Sequence, residues 1–340
     1  MSRILITGVT GFLGAHVLHQ ALEAGYTINV TTRPAKVDSL QKHLGDKVQV
    51  FGVDDVVTGD YSSALKGVSA VIHCAGPLIG KSGTDAILTG SIDGVLNIIK
   101  QAVNAEVYKI VFTSTLLTAN FDPKIVFSDH IYTDKDWFPA TKEETKDKSH
   151  DAWWFYYAAK TIAEQEAFAF ANSHPEADIT SINPSFFYGP FAPQYQIGKG
   201  DVGALSSNGM FYQNVLKVSS GKLPPVQSVG PINVDVRDVA KAHVLALKSP
   251  HTSQVGQKRL FIGDRNQFFS WKDAVEHLKS ARPAISDRLP DTSEAQHTKI
   301  ANVDTSRAAE ILGLTTYTPW EKTVEDTAAA LLAVEKDWSS

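Results

Sequence analysis

Cysteine is almost missing from this chain. Cys74 is the only one in 340 residues, which excludes an internal disulfide framework and fits a reducing compartment. Long apolar runs are missing too. No stretch approaches the roughly 20 residues of a membrane-spanning helix. Met1 leads straight into a short strand, without the basic and apolar regions of a secretory leader. The expectation is a cytoplasmic protein with no membrane partner. Positive charge is not in excess: 32 Lys and Arg stand against 37 Asp and Glu, a formal net charge of -5. That balance argues against a nucleic-acid partner, which needs a basic stripe. Clusters of ligand-type residues are also lacking. His73 adjoins Cys74 with no further such residue close by, so no metal site is expected.

What the chain does have is a glycine-punctuated beginning. Arg3-Ile4-Leu5-Ile6-Thr7 is a short apolar run of strand character. It breaks into Gly8-Val9-Thr10-Gly11-Phe12-Leu13-Gly14, and residues 15–24 then carry an apolar face at helical spacing. Strand, glycine turn and helix start are what a dinucleotide pyrophosphate requires. Gly8 can take the tight turn, Gly11 lets phosphates approach the backbone, and Gly14 lets helix and strand pack closely. The first gap is one residue longer than in the usual dinucleotide fingerprint. An ordinary strand-to-helix turn is the bland alternative.

Further strands are expected at 27–32, 48–53, 70–75, 109–113 and 178–182. Helices are expected at 92–104 and 153–172, and helical patterns lie between most of the strands. Strands alternating with helices predict an α/β fold with a doubly wound parallel (Rossmann) sheet. After Asn183 the composition turns rich in Gly, Pro, Ser and aromatics. A strand at 232–236 follows, then a helix over 239–248 capped by Asp238. A short strand at 259–262, a helix from about Trp271 and an amphipathic helix from about Trp320 complete the chain. The division this suggests is a nucleotide-binding domain over 1–183, to which 232–250 returns. A smaller, mostly C-terminal substrate-binding lobe then comprises 184–231 and 254–320, with a closing helix over 321–340.

The residue at the tip of the second strand reads the adenosine ribose in such a site. An acid there accepts from the ribose hydroxyls, whereas an arginine suits a 2′-phosphate. Here the tip reads Thr31-Thr32-Arg33-Pro34-Ala35-Lys36, with no carboxylate before Asp38. Arg33 offers a planar fork and Lys36 a second charge, which favours NADPH over NADH. Asp54, past the third strand, could bond the adenine amine or cap the next turn.

Tyr156-Tyr157-Ala158-Ala159-Lys160 places a phenol and an amine four residues apart, on one helix face. A neighbouring ammonium is expected to lower the phenol pKa from near 10, making Tyr156 a usable general acid or base. Lys160 could also bond the nicotinamide ribose. Tyr157 points about a hundred degrees away and is expected to pack. Thr113-Ser114-Thr115 follows the fifth strand, at the sheet end that lines the ligand crevice.

With these elements together the chain resembles the extended short-chain dehydrogenase/reductase superfamily. Within it the likeness is to the dihydroflavonol reductase-like group, including plant dihydroflavonol and cinnamoyl-CoA reductases and fungal aldehyde, ketone and methylglyoxal reductases. It covers nearly the whole chain and also rests on Thr161-Ile162-Ala163-Glu164, Asn183-Pro184-Ser185, Tyr188-Gly189-Pro190-Phe191 and Val234 to Ala240. The resemblance implies that Tyr156 donates a proton, that Lys160 tunes it, and that the catalytic serine falls on Thr115, which keeps the hydroxyl but stiffens χ1. Pro184 to Phe187 would run along the nicotinamide, with Thr10, Phe12 and Leu13 part of the cofactor turn. One departure is Trp153-Trp154-Phe155-Tyr156-Tyr157, which is unlike the Asn-Trp-Tyr-Cys-Tyr type signature of the cinnamoyl-CoA reductases.

The expectation is NADPH-dependent reduction of an aldehyde or ketone carbonyl by a monomer or homodimer. Trp153, Trp154, Phe155, Phe186, Phe187, Phe191, Phe211 and Tyr212 supply candidates for an apolar or aromatic substrate pocket. Two rivals share the fold: a nucleotide-sugar epimerase or dehydratase with tightly bound NAD, and a non-catalytic NADPH-sensing regulator.

Overall fold

The computed structural model describes residues 2–77, 79, 82–119, 122–225, 233–296 and 300–339. Its strands are short runs whose alternate side chains enter different cores. In β1 (Arg3–Thr7), Ile4 and Ile6 join one apolar core and Leu5 the other. In β4 (Ala70–His73), Ala70 and Ile72 face the first core and Val71 the second. A sheet covered on both faces must bury both registers, so these strands read as continuous apolar runs. With β2 (Thr27–Thr32), β3 (Val48–Gly52), β5 (Lys109–Thr113), β6 (Asp178–Pro184) and β7 (Lys258–Ile262) they form one seven-stranded sheet in the order β3-β2-β1-β4-β5-β6-β7. Every neighbouring pair is parallel. The strand order reverses between β1 and β4. That switch point is where a doubly wound sheet opens a crevice for ligand at its carboxyl end.

Helix α1 (Phe12–Glu23) packs one face through Val17, Leu18 and Ala21, beside Val239, Ala240 and Ala246 of α4 (Val236–Ala246). The other face is covered by α2 (Thr84–Asn104), through Ile98 and Ile99, and α3 (Ala152–Ser173), through Ala167 and Phe168. A third core gathers Tyr188, Phe211 and Leu223 with Trp271 and Leu278 of α5 (Trp271–Ala281) and Val324 and Leu331 of α6 (Trp320–Ser339).

Several boundaries differ from the expected ones. Helix α1 starts at Phe12 rather than 15, because Phe12 and Leu13 are themselves buried. Helix α2 starts at Thr84, eight residues before the expected 92. The helix after residue 235 is capped by Asp235, which accepts from the Arg237 amide at 2.8 Å. Asp238 lies inside the helix and accepts from the Thr318 amide at 2.7 Å. The strand expected at 232–236 is Asn233–Asp235, and it pairs outside the main sheet with Phe186–Tyr188. Residues 226–232 and 297–299, expected within the lobe or at its edge, lie outside the described residues. The expected lobe segment 254–320 also contains β7, which belongs to the main sheet and pairs with β6 through Arg259 opposite Ser181. A single short strand gives no periodicity that says which sheet it will join.

Candidate active site

The crevice begins at the turn after β1. Gly8 has φ +78°, and a Cβ there would sit 2.6 Å from the Ala75 nitrogen, while one on Gly14 would sit 2.1 Å from the Gly8 carbonyl oxygen. Neither position admits a side chain without moving backbone. The Gly11 amide closes the turn on the Gly8 carbonyl at 2.9 Å. Gly11 is also the N-cap of α1 and supplies no capping side chain. The first amides of α1 are thus left to an outside acceptor, which suits a phosphate. Thr10 is exposed, whereas the side chains of Phe12 and Leu13 are buried. Those two residues can meet a ligand only through main chain. Phe12 stacks on Phe187 at 5.9 Å between centroids and meets Phe191 edge-on at 5.6 Å.

Lys160 enters from α3. Its Nζ would lie 3.6 Å from a Cβ at Gly76, so the ammonium reaches the chain just past β4. Burial pushes its pKa down to about 8, against the opposing pull of Glu164 and Cys74. Burial, and after it Lys160, also holds His73 neutral, with a pKa of about 3; its Nδ1 meets the Thr7 hydroxyl at 2.8 Å. Tyr156 lies one helical turn before Lys160. Its phenol is not lowered as expected: burial, then Tyr157, pushes it up to about 12. Burial of the phenolate sets the direction, and the Lys160 ammonium does not reverse it. Among the described residues neither the Tyr156 hydroxyl nor the Lys160 ammonium has a hydrogen-bond partner. Tyr157 packs on Phe138 and Trp153 at 5.7 and 6.0 Å.

The hydroxyls after β5 divide by environment. Ser114 donates to Glu164 Oε2 at 2.9 Å and is committed. Thr115 is engaged weakly, 3.5 Å from the Pro184 carbonyl and accepting from the Leu117 amide at 3.3 Å. Its hydroxyl is the freer of the two. Behind it lies a polar cluster that sequence reasoning missed. Glu164 Oε1 accepts from Ser181 at 2.6 Å, Asn183 at 2.9 Å and Arg259 Nε at 3.2 Å. In the sequence Glu164 and Asn183 stand out only as motif residues and Arg259 only as part of a strand. The one signal was a carboxylate four residues past Lys160.

Arg33, Lys36 and Asp54 lie just past β2 and β3, whose ends are paired through Thr32 and Gly52. All three are exposed. The turn after β3 is capped by Asp55, through the Val57 and Thr58 amides, and not by Asp54. Of the aromatics, Trp153 is 38% exposed and faces Phe186 at 6.5 Å. Phe155, Phe211 and Tyr212 are buried. Trp154 stacks on His150 at 3.7 Å.

The sheet order and the glycine cradle at its switch point define a Rossmann-type dinucleotide-binding fold. More narrowly, the chain belongs to the NAD dependent epimerase/dehydratase family, whose model matches residues 4–263. It is 35% identical over 303 residues to an uncharacterized oxidoreductase of Schizosaccharomyces pombe, covering 85% of this chain and 84% of that one. It is 30% identical over 336 residues to the ketoreductase azaE of Aspergillus niger, covering 92% and 93%. Among solved structures, yeast methylglyoxal/isovaleraldehyde reductase Gre2 complexed with NADPH superposes with a TM-score of 0.78 at 22% identity, covering 98% of this chain and 99% of that one.

Proposed function

We propose that the protein reduces the carbonyl group of an aldehyde or ketone to an alcohol with NADPH. The observation that carries this reading is the Tyr156–Lys160 pair, half-buried on one face of α3, its polar ends unpartnered by described residues and its ammonium at the chain after β4. The relatives' names, a ketoreductase and an NADPH-bound reductase, support the same chemistry. Gly8, Thr10, Gly11, Phe12, Leu13 and Gly14 would hold the pyrophosphate mainly through main chain. Arg33 and Lys36 would take the 2′-phosphate and Asp54 the adenine amine. Pro184 and Phe187 would border the nicotinamide, and Lys160 would bond its ribose. The bound coenzyme supplies the hydride.

The chain's own residues do the rest. Thr115 donates a hydrogen bond to the carbonyl oxygen and gathers charge there as it develops. Tyr156 gives its proton to the forming alkoxide. Even a phenol of pKa about 12 can protonate an aliphatic alkoxide, the stronger base, so the raised resting value does not block the step. Lys160 then stabilises the phenolate until it is reprotonated. Trp153, Tyr157 and Phe186 favour an apolar or aromatic substrate.

Tyr156→Phe should reduce turnover about a thousandfold, within the range for loss of a general acid, with NADPH affinity near that of the unaltered protein. The assay is NADPH absorbance against aliphatic, aromatic and dicarbonyl substrates. Retained turnover discards the assigned acid. The family's name favours one second reading, a nucleotide-sugar epimerase or dehydratase. NAD retained through purification, with turnover of a UDP-sugar and no added NADPH, would support it.

A further inference from the structure

The polar cluster beneath Thr115 joins the ends of β5, β6 and β7 to α3. Glu164 and Arg259 are 0% and 1% exposed, and a buried ion pair is costly unless further hydrogen bonds complete it. Here they do. Glu164 takes donors from the end of β5 (Ser114), from β6 (Ser181 and Asn183) and from β7 (Arg259). Arg259 also donates to the carbonyls of Asp134 and Asp136 at 2.8 and 2.6 Å, and to Thr118 Oγ1 at 2.8 Å. Its guanidinium lies 3.6 Å from the Trp137 ring centre. Two of these partners turn back on Thr115: Thr118 Oγ1 donates to its carbonyl at 2.9 Å and Asn183 Nδ2 at 3.2 Å. Glu164 also lies one helical turn past Lys160, on the same helix face.

We propose that Glu164 is a positioning residue for the reaction: through Ser114, Asn183 and Arg259 it fixes the turn that presents the Thr115 hydroxyl, and its carboxylate keeps a negative charge facing the Lys160 ammonium. This rests on the carbonyl-reductase reading of Thr115, Tyr156 and Lys160. The electrostatic environment agrees. Lys160 is faced by Glu164 on its own helix and by His73 and Cys74 at the end of β4, with Tyr156 one turn before it. His73 is held neutral and the Cys74 thiol is pushed up to about 12 by burial. Glu164 is the largest pull against the desolvation of Lys160, ahead of Cys74. On the far side Glu164 is faced by Arg259, with Asp134 and Asp136 beyond it.

The test compares the unaltered protein with Glu164→Gln, the double variant Glu164→Gln/Arg259→Met, and Tyr156→Phe. Each is followed by kcat against pH, with whichever of benzaldehyde, phenylglyoxal and methylglyoxal drives the fastest NADPH oxidation in the unaltered protein. The single variant leaves a buried guanidinium without its counter-charge; the double variant removes both charges and guards against simple misfolding. Both should lose about tenfold in kcat at neutral pH with KM for the carbonyl little changed. Their alkaline limb should move down by about one pH unit, because the ammonium loses its opposing charge. A merely structural role would lower the active fraction and leave the limb where it was. An unmoved limb in the folded variants, with Tyr156→Phe inactive, overturns the proposal and leaves the catalytic reading standing. An active Tyr156→Phe, or no turnover of any carbonyl by the unaltered protein, overturns both.

Discussion

The two sides of the crevice are built by opposite means. On the β1 side the site is made of backbone: three glycines bring strand, turn and helix so close that a Cβ on Gly14 would lie 2.1 Å from the Gly8 carbonyl oxygen. On the β5 and β6 side it is made of side chains. There a carboxylate, an amide, hydroxyls and a guanidinium, all buried, hold the Thr115 turn through a closed set of hydrogen bonds. Backbone construction suits a ligand recognised by its phosphates, which need amides and close approach. Side-chain construction serves a group that must hold one hydroxyl in place, and such a network is rigid only when every member is satisfied.

Gly14→Ala tests the backbone side most severely. The added methyl meets main chain that cannot yield cheaply, so NADPH affinity should fall about 100-fold, roughly 3 kcal/mol, with a lower unfolding temperature. Isothermal titration measures the first and calorimetry the second. Unchanged affinity would mean that the turn is not where the coenzyme binds.

Arg33→Ala sharpens the same side. Arg33 is exposed and makes no ion pair among the described residues, so its removal should leave the fold intact. It should weaken NADPH about tenfold while leaving NADH almost untouched, as loss of a charge-assisted phosphate contact would. Equal losses for the two coenzymes would reject a role at the 2′-phosphate.

The smallest expected effect concerns pH. His73 joins Thr7 at the glycine side, and His243 of α4 joins Thr113 at the end of β5 at 2.8 Å. Burial holds both neutral, with pKa values of about 3 and about 4 against 6.5 in the unfolded chain. Because the folded values are depressed, the stability they contribute is present above pH 6.5 and lost as pH falls towards 4. At about pH 5 each would have lost on the order of 2 kcal/mol. Unfolding temperatures measured from pH 7 to 4.5 should fall accordingly, and His243→Gln should flatten part of that slope. A flat profile in the unaltered protein would contradict the buried neutral state.

Legibility in the sequence follows the same division. The glycine turn was readable because φ +78° at Gly8 and contact at Gly14 exclude every other residue, so the requirement is written in residue type and spacing. Tyr156 and Lys160 were readable because one helix carries both at a fixed offset. The direction of the Tyr156 pKa was not, since it depends on how much water the folded neighbourhood excludes. The cap at Asp235 was misassigned to Asp238, because both acids precede helical residues and only the register of the first turn distinguishes them. The start of α2 at Thr84 was missed because residues 84–91 mix polar and apolar positions.

The amino-acid order by itself determined the alternation of strand and helix, the parallel sheet and the glycine turn, because each is set by local periodicity and by positions where a side chain will not fit. Only the tertiary structure decided that Ser114 is committed to Glu164 while Thr115 is left nearly free, that β7 joins the main sheet, and that Arg259 meets a carboxylate 95 residues away in the chain. Those outcomes depend on which distant groups share a dry interior, and burial has no short-range pattern from which to read them.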